Sequence, residues 1–323
     1  MPPISTIPPE TLRNRHRLSV QQVNSLYGRQ VLEESLEEKA GSLAKVAEFI
    51  RVTDLFRAKA IDFIPLKGPL LSYRLYGDAT VRRYGDIDIL VNPDTVEHAR
   101  TELMAAGYTE FLYKWPASVK GQRRTLEYRH HISFKNPAED VIVELHWGLS
   151  DRQWLNFRDG DSFVRDNQCR VDFSGNSYKV LNPDAELLYL TIHGGIHRWG
   201  VLKWLVDIHR YLEIQTFERG KFCDLVNLLG CYRLVSLCNR MLEEYFPGTK
   251  LLPCGTHLPR YMERMAKEAA DSPSCGSPGS IREILYLMPY SLLVYPGVKY
   301  KVRVLGMIAG NSLFNGRMSH LLD

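Results

Sequence analysis

The segment Asp86-Ile87-Asp88-Ile89-Leu90-Val91 constrains this chain more than any other. Side chains alternate across a strand, so the two aspartates share one face while Ile87 and Ile89 share the other. The β-branched apolar run predicts a strand buried on at least one side. Two carboxylates on one side of such a strand are costly unless a cation lies between them. A divalent metal is the simplest candidate, set against the plainer reading of a solvent-facing edge whose acids happen to alternate.

A third acid sharpens that choice. In Val141-Ile142-Val143-Glu144-Leu145-His146 the apolar residues mark a second buried strand with Glu144 inside it. If this strand lies beside the first, three carboxylates converge. Mg²⁺ prefers oxygen ligands and keeps waters and substrate phosphates, so a few carboxylates suffice to hold it. A pair of ions would clamp the attacking and leaving oxygens of a phosphoryl displacement. Upstream, Lys67-Gly68-Pro69 opens a predicted helix ending near Tyr76. A helix start offers free N–H groups to phosphate, although a Lys-Gly-Pro turn is equally a plain turn.

Around these motifs the chain has 323 residues, 45% hydrophobic and 24% charged, with a formal net charge of +4. That is ordinary globular composition, and the charge permits a polyanionic partner without demanding one. The N-terminal 25 residues lack an apolar core of signal-peptide length. The apolar run Ile284–Val298 is too short to span a bilayer and contains Pro289 and Pro296. Six cysteines without a CxxC pair read as structural thiols of a cytoplasmic protein.

Read in order, residues 1–60 form an N-terminal helical segment after a Pro-rich, mobile start. Leu32, Leu36, Ala40, Leu43, Val46, Phe49 and Ile50 fall on its apolar stripe, with a break at Gly41-Ser42. Residues 61–182 read as a small mixed sheet with helices, the stretches 124–135 and 140–149 both taken as strands around the turn at residues 136–139. From residue 183 to 323 the periodicity is helical, interrupted by a loop at 271–280 and stopped by Pro289. The fold class expected is α+β with an α-helical C-terminal domain.

The motifs in combination resemble the uncharacterised nucleotidyltransferase family of the polymerase-β-like superfamily. The resemblance rests on Leu66-Lys67-Gly68, Leu75-Tyr76-Gly77-Asp78, Arg82 and Asp86–Val91, then Glu144-Leu145-His146-Trp147. It continues through His193-Gly194-Gly195-Ile196-His197-Arg198-Trp199 and Leu202-Lys203-Trp204-Leu205-Val206-Asp207-Ile208. It implies a polymerase-β-like mixed sheet with flanking helices and transfer of an NMP from an NTP, such as ATP, to a hydroxyl acceptor. That acceptor is a protein, peptide, RNA or small molecule, and pyrophosphate is released. Asp86, Asp88 and Glu144 would be catalytic and hold Mg²⁺ or Mn²⁺. Lys67, Gly68, Arg82, His193, His197 and Lys203 would contact the nucleotide or acceptor.

One departure stands out. The superfamily commonly opens its phosphate helix with Gly-Ser, whereas Gly68 is followed by Pro69, which has neither hydroxyl nor N–H. Lys67 or Ser72 is the expected substitute. His193 and His197 have the i, i+4 spacing of a zinc pair, but Gly194 stands where an H-E-x-x-H glutamate would be. The basic stretch 114–135, with Tyr113, Trp115 and Tyr128 interleaved, reads as a solvated hairpin or as an RNA contact. Alternatives to the leading reading are a toxin-like tRNA-modifying transferase, a phosphoryl-transfer variant and a catalytically degenerate nucleotide-binding scaffold.

Overall fold

A computed structural model describes residues 3–137, 141–150, 160–272, 281–295, 297–298, 300–302 and 304–306. These divide into two compact units. Residues 3–18 belong with the described residues from Pro183 onward, and the described residues between 19 and 182 form the second unit. The segment 1–60, read from the sequence as one piece, is therefore shared between the two.

The second unit is built on a five-stranded mixed sheet. Its strands are β1 (Phe63–Pro65), β2 (Asp86–Val91), β3 (Thr109–Phe111), β4 (His131–Lys135) and β5 (Ile142–His146), in the order β1-β2-β5-β4-β3. β2 and β5 run parallel, and the other pairs are antiparallel. The expected α+β architecture is thus what the chain adopts. A hairpin of β6 (Gln168–Phe173) and β7 (Asn176–Leu181) turns at Ser174-Gly175, both at positive φ, as a two-residue hairpin loop requires.

The pleat sorts this sheet into two faces. Ile87 and Ile89 of β2, Ile132 and Phe134 of β4, and Val143 and Leu145 of β5 enter one hydrophobic core. Phe49, Val52 and Phe56 of helix α3 (Leu36–Ala58) and Val96, Ala99 and Leu103 of α5 (Val96–Ala105) join them there. Asp86, Asp88, His131, Ser133, Glu144 and His146 occupy the alternate positions and so face the other way.

Local rules account for most helix ends in this unit. Ser19 opens α2 (Val20–Tyr27) and Ser35 opens α3, each through a reciprocal capping box. α3 runs through Gly41-Ser42 without the expected break. One glycine costs about 1 kcal/mol in a helix, which 23 residues of continuous helix outweigh. Leu36 and Leu43, expected on its buried stripe, are exposed, because only the C-terminal half of α3 covers the sheet.

The largest correction concerns residues 124–135. Their first part is helix α6 (Val119–Tyr128), not strand. Ser118 caps it by accepting from the Gly121 N–H, and the Trp147 indole N–H reaches the carbonyls of Leu126 and Arg129 at its end. Arg129 stacks 3.9 Å from the Tyr113 ring centroid. Part of the expected turn at 136–139 lies outside the described residues.

The first unit is helical: α1 (Pro9–Asn14), α8 (Pro183–Ile196), α9 (Lys203–Ile214), α10 (Arg219–Leu229), α11 (Tyr232–Tyr245), α12 (Arg260–Asp271) and α13 (Ile281–Val294). The two remaining helices, α4 (Gly68–Tyr76) and α7 (Gly160–Asp166), belong to the sheet unit. The Pro-rich start, expected to be mobile, is anchored over its described residues. Ile4 and Leu12 are buried, and the Arg15 guanidinium donates to the carbonyls of Gly200, Ala269 and Ser272. Pro289 lies inside α13 rather than stopping it. Cys223 and Cys254 are paired as a disulfide, against the expectation of thiols throughout, while Cys231 and Cys238 are buried and free. A separation of 31 residues, without a CxxC motif, left no local sign of that pairing. The loop expected at 271–280 and Cys275 fall largely outside the described residues. Among the described residues no helix is long and apolar enough to cross a membrane.

Candidate metal and phosphate site

The polar face of the sheet concentrates its charge at β2 and β5. Their parallel register sets Asp88 directly opposite Glu144 and Leu90 opposite His146. Ligand atoms of Asp88, Glu144 and His146 all fall within 4.8 Å of one another. The His146 Nε2 lies 3.1 Å from Asp88 Oδ1 and 3.3 Å from Glu144 Oε2, so one imidazole bridges two carboxylates. Lys67 adds a second cation, its Nζ 3.6 Å from Asp88 Oδ2.

This pairing answers the cost of burying acids. Burial alone would lower the basicity of His146, but hydrogen bonds to Asp88 and Glu144, with their charges, outweigh it and raise its pKa to about 9. Burial likewise pushes the Glu144 pKa up. The charge of His131 and the His146 hydrogen bond prevail and hold it below the usual carboxylate range. Two carboxylate oxygens and one imidazole nitrogen brought this close together could hold a metal ion.

Of the expected ligands, Asp88 and Glu144 are brought together. Asp86 follows the same face of β2, but its carboxylate does not close into that cluster. His146, which carries the cluster with them, was not singled out as a ligand from the sequence. Its signal was present as the i+2 neighbour of Glu144 on a strand, since alternation puts both on one face.

The phosphate-side residues are placed as follows. Gly68 starts α4 with φ of +66°, a conformation that favours glycine, and the Leu66 N–H donates to the Asp88 carbonyl. The turn that carries Lys67 is thereby fastened to β2. Arg82 is buried, and its main-chain N–H donates to Ser72 Oγ at 2.9 Å. Ser72, expected as a substitute phosphate ligand, is fully buried and also donates to the Asp78 carbonyl at 2.7 Å. Its hydroxyl is spent holding the loop between α4 and β2. Ser72 therefore holds the loop, and the other expected substitute, Lys67, is paired with Asp88.

His193, His197 and Lys203 belong to the helical unit. The two imidazoles are 4.8 Å apart, and each lies against Trp204, at 5.1 and 5.2 Å. Among the described residues no third metal-ligating group clusters with them. Gly194 is explained by packing, since a Cβ there would stand 2.2 Å from the ring of the buried Trp199. Lys203 is buried at the first turn of α9.

The family model for uncharacterised nucleotidyltransferases matches residues 13–247. The chain belongs to that family. Membership gives nucleotidyl transfer as the general class of activity and an NTP as the general substrate. No curated protein matches the chain. Four chains of solved structures match, among them an antigenic nucleotidyltransferase-like protein from Paracoccidioides brasiliensis. It is 15% identical, with a TM-score of 0.36, over 57% of this chain and 87% of that one.

Proposed function

We propose that this nucleotidyltransferase moves an NMP from an NTP to a hydroxyl acceptor and releases pyrophosphate, with Asp86, Asp88 and Glu144 as its metal-binding and catalytic acids. The observation that carries the proposal is the β2–β5 register, which sets Asp88 against Glu144 beside Lys67. A bound Mg²⁺ or Mn²⁺ would supply positive charge to the phosphates during displacement.

The chain's own groups divide the remaining work. Lys67, on the turn that opens α4, is the cation positioned for triphosphate oxygens, and the α4 N-terminus adds its partial positive charge. The acceptor oxygen bonds to the α-phosphorus as the bond to the β-phosphate oxygen breaks, and the electron pair leaves on pyrophosphate. The hydroxyl proton passes to Glu144. At 21% side-chain exposure against 3% for Asp88, Glu144 is, with the half-buried Asp86, within reach of an entering acceptor.

Incubation with each α- and γ-labelled NTP, Mg²⁺ or Mn²⁺ and cell extract tests this reading. Product labelled from the α position, and lost in Asp88→Asn and Glu144→Gln, is the expected result. Unchanged labelling in those variants removes the metal-site assignment, and label from the γ position replaces nucleotidyl by phosphoryl transfer. Exposed Lys120, Arg123 and Arg124 share one side of α6 at i, i+3 and i+4 spacing. They favour RNA among the acceptors. Labelling of tRNA that disappears in Arg123→Ala/Arg124→Ala, with NTP binding intact, would identify it.

A second reading, nucleotide binding without transfer, draws on the sealed Ser72 hydroxyl and on Pro69. Together they leave fewer phosphate donors at the start of α4. Metal-dependent NTP binding with no product from a broad acceptor panel would favour it.

A further inference from the structure

His130, His131 and His146 also bring nitrogen atoms within 4.8 Å of one another, a second ligand cluster that shares only His146 with the carboxylate site. The register pairs His131 with His146 across β4 and β5, and His130 precedes them at the start of β4. The His131 and His146 rings stack at 5.1 Å, and His130 packs against both, at 4.4 and 5.4 Å. His131 Nδ1 lies 3.0 Å from His130 Nε2. The buried His146 Nδ1 has no hydrogen-bond partner.

Three adjacent imidazoles are an awkward structural choice. They repel one another when protonated, and when neutral one hydrogen bond joins His130 and His131 while the buried His146 Nδ1 is left unsatisfied. Metal coordination removes both problems, because neutral imidazole is the commonest protein ligand for transition metals. A carboxylate stands behind them in the manner of metal-bound histidines, with Glu144 Oε1 3.7 Å from His131 Nε2. We propose that His130, His131 and His146 form a nitrogen-rich site for a transition-metal divalent cation of the Zn²⁺ or Co²⁺ class, beside the oxygen-rich site for Mg²⁺. Ligands on a tetrahedral metal with bonds of about 2.1 Å sit roughly 3.4 Å apart, so small side-chain rotations close the cluster. Imidazole and carboxylate would divide the metals by softness, Mg²⁺ to the acids and the borderline metal to the histidines. The proposal does not depend on nucleotidyl transfer.

Co²⁺ is the probe. The full-length chain, free of any polyhistidine tag, is titrated with Co²⁺ in a large excess of Mg²⁺, and binding is read by visible absorption and by metal content after dialysis. One equivalent of Co²⁺ is expected to persist. His130→Gln and His131→Gln, singly or together, are expected to weaken it about tenfold or more. His193→Gln/His197→Gln, a control for the other histidine pair, is expected to leave it in place. Asp88→Asn reports on the carboxylate site: Mg²⁺ binding lost there while Co²⁺ persists separates the two. Co²⁺ retained undiminished in the His130 and His131 variants, lost instead in the His193/His197 variant, or absent from the unmodified protein overturns the proposal. Should the double variant not fold, the single variants carry the same expectation. Cu²⁺ electron paramagnetic resonance gives a count without touching the cluster, taken in the His193→Gln/His197→Gln protein. Two or three coordinated imidazole nitrogens support the site, and one or none rejects it.

Discussion

Asp88 and Glu144 are register partners on parallel strands, and a single imidazole, His146, stands 3.1 Å from one and 3.3 Å from the other. Replacing either acid by its amide keeps the shape and removes a charge. Asp88→Asn and Glu144→Gln are each expected to reduce transfer by on the order of a hundredfold or more. Circular dichroism should stay unchanged. The measurement is product formation from α-labelled NTP at saturating Mg²⁺.

Ser72 ties the Asp78 carbonyl to the Arg82 N–H through one hydroxyl. Ser72→Ala removes the acceptor of the buried Arg82 N–H, at a cost of about 1–3 kcal/mol. Urea denaturation should show the loss. Binding of NTP to the folded fraction should persist, because the hydroxyl is committed to the loop. A variant with full stability but abolished NTP binding would return Ser72 to the phosphate.

At Gly194 of α8 the Trp199 ring closes over the backbone. Gly194→Ala would force the indole aside, and overpacking of this kind costs about 1–3 kcal/mol. The expected readout is a lower denaturation midpoint. An unchanged midpoint would mean that Trp199 does not occupy that place.

His16 accepts the Leu202 N–H at its Nδ1, 3.4 Å away, and is buried beside Arg15. Burial first, and then the neighbouring guanidinium charge, lower its pKa from 6.5 to about 4. The unfolded chain therefore binds the proton more readily than the folded one between those values. The stabilising effect of neutral His16 is complete above about pH 6.5 and is lost as pH falls towards 4. Thermal unfolding across this window should show a weaker acid dependence in His16→Gln than in the unmodified protein.

The Cys223–Cys254 link closes a loop of 31 residues. Cys223→Ser should lower stability by about 2–4 kcal/mol under non-reducing conditions. In the unmodified protein, reduction should raise the number of titratable thiols by two. No rise would show that the pair is not oxidised in solution.

Much of the sheet unit was legible because its rules are local. The alternation in Asp86–Val91 assigned the acids to one face and Ile87 and Ile89 to the core before any partner strand was known. The α6 region was misread because its basic surface hides a short apolar side. Thr125 is buried, Leu126 packs on the core, and the cap at Ser118 is its only strong local sign. Ser72 had a plausible chemical reading in one dimension, and its hydroxyl proved to hold a loop.

The sequence by itself determined which residues lie on a common face of each strand and that Glu144 stands inside an apolar strand. These follow from backbone periodicity. Only the tertiary structure decided that β5 lies parallel to β2 with Glu144 at Asp88, that His146 bridges them, and that His131 arrives from β4. Strand register is a contest among whole faces of the sheet. It is settled by burying Ile87, Val143, Ile132 and their neighbours together, and the acids and histidines are carried to their meeting point by that choice.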